Sequence, residues 1–228
     1  MKVTALSDLH GTLLPVEDYF EPCELVCICG DIVPLNVQAN SRKTRQWLLN
    51  EFKPWCESLP CIKVFFIAGN HDLHFNLDFM RTHFPADGKV TYLFHEDFLY
   101  TGTDEKEYLI FGTPYCKQFG NWAYMEPTER LEELFSEIPE DCDILMTHDQ
   151  PYGWGDILMD SVWWNTGEHI GNKPLAEAII NKRPRFQFNG HLHSCDHRLI
   201  EMGVTKHYNV SLKNESYDPV YDPIVVEV

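Results

Sequence analysis

The sequence lacks any uninterrupted apolar run long enough to cross a bilayer. Its N-terminus also lacks the succession of basic, apolar and small residues that marks a secretion signal. These two absences argue against a membrane protein and against an exported one. We therefore expect a soluble, cytoplasmic protein with no membrane association.

Basic residues are scarce. The chain has 18 lysines and arginines against 35 aspartates and glutamates, which gives a formal net charge of −17. A surface of that sign repels nucleic acid phosphates and anionic lipid headgroups. Nucleic acid polymers are therefore disfavoured as partners, although bound metal cations can reverse the sign of the charge locally. The 228 residues suffice for one domain with a substantial core, and we predict a single domain over 1–228.

Paired cysteine motifs are also absent, because none of the eight cysteines forms a CxxC pair. A structural zinc site built from thiolates is therefore not indicated. Cys27 and Cys29 share one face of a strand in LVCIC, so a thiolate metal site there remains an alternative. We expect the cysteines to be reduced and mostly buried.

Short apolar runs, each followed by a polar or glycine-bearing turn, predict β-strands. They lie at 2–7, 25–29, 62–68, 108–112, 143–147, 185–189, 207–212 and 223–228. Helical patterns lie at 41–52, 127–138 and 173–182. Strands that alternate with helices indicate an α/β domain with a largely parallel sheet early in the chain. The last strands have no helices between them and indicate a second or mixed sheet.

Two helix boundaries carry local signals. Pro54 lacks a backbone donor, so the helix at 41–52 should kink or end near it. Asn172 is suited to cap the helix at 173–182, because Pro174 then falls in the first turn, where its missing N–H does no harm. The stretch 152–172 before this helix is long and irregular, which is typical of functional loops.

Polar clusters follow five of the predicted strands. They are Asp8-Leu9-His10, Gly30-Asp31, Gly69-Asn70-His71-Asp72, His148 and Gly190-His191-Leu192-His193. Ligands bind at the carboxyl ends of strands in open α/β sheets, so these clusters should converge on one edge. Each cluster alone is common in proteins without a metal. Five in succession, all at strand ends, indicate a site.

The side chains in these clusters are carboxylates, imidazoles and one amide, with no thiolate among them. Nitrogen and oxygen ligands of this kind suit manganese, iron, zinc, nickel or similar divalent ions. The set is larger than one ion needs, so two divalent transition-metal ions are implied. Asp8 and His10, two residues apart, can point at the same centre.

The series DLH, GD, GNHD, H and GHLH resembles the signature of calcineurin-like metallophosphoesterases, DxH, GD, GNH(D/E), H and GHxH. The order is the same and no member is missing, over residues 2 to about 193. The resemblance implies a four-layer α/β/β/α sandwich, in which two mixed sheets pack face to face with helices outside. It also implies a dinuclear-metal-dependent hydrolase of phosphoric esters.

The resemblance further implies a role for each motif residue. One ion would be held by Asp8, His10, Asp31 and His193, and the other by Asp31, Asn70, His148 and His191. Asp31 would then bridge the ions, which would activate a water for attack on phosphorus. His71 would protonate the leaving group as general acid, and Asp72 would orient His71 through a hydrogen bond. Gly69 would let the backbone turn sharply.

The substrate class is indicated by the stretch after His148. THDQPYGWGD resembles the corresponding segment of small metallophosphodiesterases, except that Asp149 stands where a glycine is expected. We therefore expect a small phosphoester substrate, with nucleotide-like or cyclic diesters favoured. A phosphomonoesterase or phosphoprotein phosphatase is the alternative, and a non-catalytic protein-binding scaffold is a remote one. His169 could contact substrate, and Trp154, Trp163 and Trp164 could wall a pocket or pack in the core.

Overall fold

The computed structural model describes residues 1–158 and 167–228. Within them the strands are β1 (Lys2–Leu6), β2 (Cys23–Cys29), β3 (Cys61–Ile67), β4 (Val90–Tyr92), β5 (Glu96–Thr101), β6 (Glu107–Thr113), β7 (Cys116–Lys117), β8 (Met125–Glu126), β9 (Ile144–Thr147), β10 (Phe186–Asn189), β11 (Ile200–Met202), β12 (Thr205–Asn209) and β13 (Ile224–Glu227). The helices are α1 (Val16–Tyr19), α2 (Ser41–Trp47), α3 (Lys53–Ser58), α4 (Leu77–His83), α5 (Thr128–Ser136) and α6 (Lys173–Lys182), with a π-helical turn over Leu48–Phe52.

The strands form two large sheets and one small one. The first sheet has the order β13-β1-β2-β3-β4; its four N-terminal strands are parallel and β13 is antiparallel to β1. The second has the order β11-β12-β10-β9-β6-β5, with parallel inner strands and antiparallel strands at both edges. Strands β7 and β8 pair separately. Both large sheets are therefore mixed.

The alternation of side chains along each strand builds three apolar layers. In β2, Cys27 faces the second sheet and packs in a cluster with Ile144 and Phe188. Its neighbour Ile28 faces the other way and packs with residues of the π-helical turn and α3. On the far side of the second sheet, Leu145 packs against α5 and α6. The predicted α/β/β/α sandwich is confirmed.

The helix that begins at Ser41 does not end at Pro54. It widens into the π-helical turn, in which the Lys53 N–H donates to the Leu48 carbonyl, and continues as α3 to Ser58. Pro54 thus lies in the first turn of α3, where a missing donor is tolerated. The prediction for α6 is confirmed, because the Asn172 side chain accepts a hydrogen bond from the Leu175 N–H.

Two further expectations concern cysteines and the membrane. All eight cysteines are free and six of them are buried, as predicted. Cys27 and Cys29 lie in the apolar layer between the sheets, and among the described residues neither belongs to a cluster of potential metal ligands. Within the described ranges 1–158 and 167–228, no helix is long and apolar enough to span a bilayer.

Candidate metal centre

The carboxyl ends of the two sheets lie side by side, and the polar clusters gather there. Ser7, at the end of β1, forms an isolated parallel bridge with Ser211 beyond β12. The next residue, Asp8, is fully buried and its backbone N–H donates to the Gly30 carbonyl after β2. The predicted ligands therefore come from loops of both sheets, and all seven lie within this one region.

The first group of ligand atoms surrounds the Asp8 carboxylate. Nε2 of His193 lies 3.2 Å from Oδ1 of Asp8, while Nδ1 of His193 donates to the Asn214 carbonyl at 3.0 Å. The backbone N–H of His191 also donates to the Asp8 carboxylate. Ligand atoms of Asp8, His10 and His193 all lie within 4.8 Å of one another, close enough to share one ion.

The second group surrounds Asp31. Nε2 of His148 lies 3.4 Å from Oδ1 of Asp31 and 3.0 Å from Oδ1 of Asn70. On the other side, Nε2 of His10 lies 3.5 Å from Oδ2 of Asp31. Asp31 therefore has ligands of both groups beside its two oxygens, which is the position that a bridging carboxylate requires. The ring of His191 completes this side, with its centroid 5.1 Å from that of His148.

The donor set fits divalent cations. Both ring nitrogens of His10 are buried and neither forms a hydrogen bond in the described structure. Nδ1 of His148 donates to the Cys29 carbonyl at 2.8 Å, so Nε2 must present either a lone pair or a second proton to Asp31 and Asn70. A lone pair would face two oxygen acceptors, which is unfavourable unless a cation lies between them.

The pKa values of the site reflect burial opposed by opposite charges. Burial alone would raise the pKa of Asp8 and Asp31, yet the nearby His193 and His148 hold both well below their ordinary range. Burial lowers the pKa of His148, but Asp31 outweighs it and raises the value to about 10. Burial lowers the pKa of His191 to about 4. The metal-free site therefore balances its carboxylates with imidazolium ions.

The loops hold several ligands in strained backbone conformations. Asp8, His10, Asp31 and His191 all have positive φ, between 42° and 70°, a region that costs energy for residues other than glycine. Such strain is typical of functional sites, where the surrounding structure enforces it. Gly69, by contrast, does not adopt a positive φ. The chain does turn after Gly69, whose carbonyl accepts a hydrogen bond from the Asp72 N–H, but the turn does not use a positive φ. The need for glycine comes from close packing, since a Cβ there would collide with Asp31 and His148.

His71 lies beside this centre, but Asp72 does not orient it. The Asp72 carboxylate accepts hydrogen bonds from the backbone N–H groups of Ile32, Val33 and Gly69. Its function is therefore to fasten the loop after β2 to the loop after β3. The reason is that a buried carboxylate needs hydrogen-bond donors. Three backbone N–H groups from the two loops satisfy it better than one imidazole N–H would.

A pocket of about 750 Å³ opens over the centre. Its floor contains Asp31, Asn70, His71, His191 and His193. Its walls contain three partly exposed aromatic residues, Phe119, Trp122 and Tyr217. The Tyr217 ring lies edge-on to His10, with centroids 4.8 Å apart. None of these aromatic residues belongs to a sequence motif, so the sequence alone provided no signal for them.

The remaining candidates in the 152–172 stretch have different outcomes. Trp154 is buried and packs in the apolar layer with α5 and α6, so it does not wall the pocket. Trp163 and Trp164 lie outside the described residues. Nδ1 of His169 lies 2.5 Å from Oδ1 of Asp156, and the described lining of the pocket does not include His169. Asp149 is buried and accepts hydrogen bonds from Lys117 N–H and from the Asn172 amide.

Comparison with known proteins agrees with this geometry. The human metallophosphoesterase domain-containing protein 1 is 26% identical over 246 aligned residues, which cover 100% of this chain and 71% of that protein. The solved structure of TT1561 from Thermus thermophilus has a TM-score of 0.54 at 13% identity, over 91% of this chain and 87% of that one. The phosphopantetheinyl hydrolase PptH from Mycobacterium tuberculosis has a TM-score of 0.51 at 14% identity, over 92% and 88%.

At these identities the two solved structures support the fold alone. The model of the calcineurin-like phosphoesterase family, however, matches residues 1–195, which include every motif of the buried centre. The chain therefore belongs to the calcineurin-like phosphoesterase family of metal-dependent phosphoester hydrolases.

Proposed function

We propose that this protein is a phosphodiesterase that acts on small, nucleotide-like or cyclic diesters. The seven side chains around Asp8 and Asp31 would hold two divalent ions. When bound, such ions supply Lewis-acid stabilisation of the phosphoryl oxygens and lower the pKa of a water nucleophile. Manganese, iron, zinc and nickel are all compatible with these nitrogen and oxygen donors.

The preference for a diester over a monoester rests on the charge of the pocket. Among the described residues that line the pocket, Lys117 is the sole lysine or arginine. Its Nζ contacts the carbonyls of Ile170 and Gly171, and its backbone N–H is held by Asp149. Glu215 adds a negative charge to the same wall. A diester is a monoanion, so it suits this surface better than a monoester dianion, which gains more from additional cations.

The aromatic walls support a nucleotide-like substrate. Phe119, Trp122 and Tyr217 keep between about a third and a half of their surface exposed beside the floor of the pocket. Exposed aromatic side chains next to a polar centre offer flat surfaces on which a base or another ring can stack. The acidic surface of the whole chain disfavours a long polyanion, so a single nucleotide or a cyclic diester is preferred.

His71 would act as general acid. It lines the pocket next to the predicted ligand Asn70, and its backbone N–H donates to Oδ1 of Asp31 at 2.8 Å. This hydrogen bond fixes the backbone of His71 beside the centre. The ring can then deliver a proton to the leaving-group oxygen, a contribution worth about 10²- to 10⁴-fold for a poor leaving group.

Steady-state kinetics with matched esters test the substrate class. We expect kcat/KM for bis(4-nitrophenyl) phosphate and for cyclic nucleotides to exceed that for 4-nitrophenyl phosphate, with the same metal ion throughout. Single-stranded DNA serves as the polyanion control at low and moderate salt. A tenfold or greater preference for the monoester, about 1.4 kcal/mol in transition-state binding, would overturn the diester assignment and favour the phosphomonoesterase alternative. No turnover of any ester by metal-loaded protein would favour the scaffold.

His71→Asn tests the acid role. We expect the variant to bind metal normally and to lose kcat mainly on diesters with poor leaving groups, because 4-nitrophenolate leaves without a proton. His83→Asn, in the last turn of α4 and away from the pocket, is a matched control that should leave both activities unchanged. A loss of bound metal in His71→Asn would instead make the residue a ligand.

A further inference from the structure

The ring of His71 has a hydrogen-bond partner that no motif contains. Oε1 of Gln38 lies 2.9 Å from Nδ1 of His71. Gln38 is half-buried and lines the pocket. It lies 33 residues before His71, on the segment that follows Asp31.

We infer that Gln38 is the positioning residue for His71. An amide oxygen only accepts hydrogen bonds, so this contact places a proton on Nδ1 and leaves Nε2 as the ring nitrogen that delivers a proton to substrate. The inference rests on the proposed function, in which His71 is the general acid. It assigns to Gln38 the task that a neighbouring carboxylate was expected to perform.

The segment that carries Gln38 is itself held in place. The backbone N–H groups of Val37 and Gln38 both donate to the Pro34 carbonyl, and the Val37 carbonyl accepts from the Thr44 hydroxyl of α2. At its other end, Val33 is fastened to the carboxylate of Asp72. The backbone that carries the Gln38 side chain is therefore held by hydrogen bonds on both sides of the turn.

Trp122 restricts the ring from a second direction. Its ring centroid lies 4.4 Å from that of His71, with an interplanar angle of 38°. The contact with Trp122 limits tilting of the imidazole, and the hydrogen bond to Gln38 limits its rotation about χ2. Among the hydrogen bonds that the structure describes for this ring, the one to Gln38 alone selects between the two ring nitrogens.

A neutral amide also suits the electrostatics of the site. Asp8 and Asp31 already place two buried carboxylates near His71. A third carboxylate next to the ring would add repulsion between like charges and another oxygen to compete for metal. Glutamine orients the ring through an oxygen acceptor without that added charge.

The test compares Gln38→Met, which removes the acceptor at similar length, with Gln38→Glu, which retains an acceptor oxygen. Gln46→Met, at an exposed position of α2, is the matched control. The substrates are methyl 4-nitrophenyl phosphate and methyl phenyl phosphate, two diesters that differ in leaving group. We expect Gln38→Met to lose about 10- to 100-fold in kcat on the phenyl ester, and much less on the nitrophenyl ester. The metal content of Gln38→Met should stay at the wild-type level. Gln38→Glu keeps an acceptor for Nδ1 of His71, so at saturating metal it should retain most of the wild-type kcat on the phenyl ester, while its added charge should change the affinity for metal.

A double mutant separates positioning from general damage. Because Gln38 acts through His71, Gln38→Met in the His71→Asn background should cause no further loss on the phenyl ester. Additive losses, equal losses on both esters or wild-type activity of Gln38→Met would each overturn the inference. If His71→Asn alone shows no dependence on leaving group, the general-acid role fails first. If His71→Asn shows the expected dependence on leaving group and Gln38→Met does not, the role of Gln38 is refuted and the general-acid role of His71 stands.

Discussion

Replacing Gly69 with alanine adds one methyl group at the tightest point of the site. A Cβ at this position would collide with the backbone nitrogen and Oδ1 of Asp31, and would lie 2.6 Å from Cε1 of His148. Both neighbours are buried, and the backbone nitrogen of Asp31 cannot turn aside as a flexible side chain would. The substitution must therefore displace the loop after β2, the loop after β3 or the His148 ring.

The size of the effect follows from the cost of overpacking. One methyl group forced into a well-packed interior costs about 1 to 3 kcal/mol. For a chain of this length each kcal/mol lowers Tm by about 2 to 4 °C, so we expect Tm to fall by about 2 to 12 °C. Because Asp31 is the carboxylate nearest to both ligand groups, its displacement should also weaken binding of both ions.

The assay combines thermal unfolding with metal analysis after dialysis. Gly88→Ala is the matched control, since the nearest atom to its added Cβ is the Pro85 carbonyl oxygen at 3.4 Å, an ordinary contact distance. We expect this control to keep the wild-type Tm and metal content. A Gly69→Ala protein with wild-type Tm that still bound two ions would refute the packing argument, because the loops would then accommodate a methyl group without displacement.

Two further variants examine the ligands and the pocket walls. Asp31→Ala should lower the content of both ions, because Asp31 has ligands of both groups beside its oxygens. His10→Ala should lower mainly one, because His10 lies on one side. Elemental analysis of the two purified proteins distinguishes these results, and equal losses of metal in the two variants would contradict a bridging Asp31. Trp122→Ala should raise KM for a cyclic nucleotide by about 5- to 150-fold, from a stacking contribution of about 1 to 3 kcal/mol, and an unchanged KM would exclude Trp122 as a stacking surface.

The sequence predicted the ligand cluster because each motif is local. Asp8 and Asp31 follow buried strands of a parallel sheet, and such strands bring their carboxyl ends to one edge whatever the loops between them do. The apolar run at 25–29 likewise predicted the strand β2, whereas the layers on both sides of the sheet were implied by the family resemblance. The strands and the convergence of the clusters needed only short apolar runs and the order of strands in the chain.

The contacts of His71 could not be predicted in the same way. Asp72 is adjacent in sequence, but its carboxylate points to the backbone of the loop after β2. Gln38 and Trp122 approach the ring from segments 33 residues before it and about 50 residues after it. Their positions depend on irregular turns, which apolar periodicity does not encode. Local motifs therefore predicted which side chains lie together at this edge, whereas the group that contacts the His71 ring and the walls of the pocket required three-dimensional coordinates.

The protonation of the ligand histidines leads to a final expectation, for pH dependence. Burial lowers the pKa of His148 and His193, but the carboxylates of Asp31 and Asp8 outweigh it; the pKa of His148 rises to about 10 and that of His193 also rises. The His148 ring should therefore be doubly protonated in metal-free protein at neutral pH. Metal ligation needs the neutral ring, so metal loading should release the second proton of His148.

The sign of the effect on stability follows from linkage. A folded-state pKa that is raised above the unfolded value of 6.5 adds stability that is complete below pH 6.5 and is lost as the pH rises toward about 10. Chelated protein should therefore lose Tm over this interval, while metal-loaded protein should bind its ions more tightly as competing protons leave. Thermal melts across this range, with and without chelator, measure the first effect, and proton release on metal titration near neutral pH measures the second. Metal binding without proton release, together with a pH-independent Tm of the chelated protein, would show that His148 is neutral before metal binds.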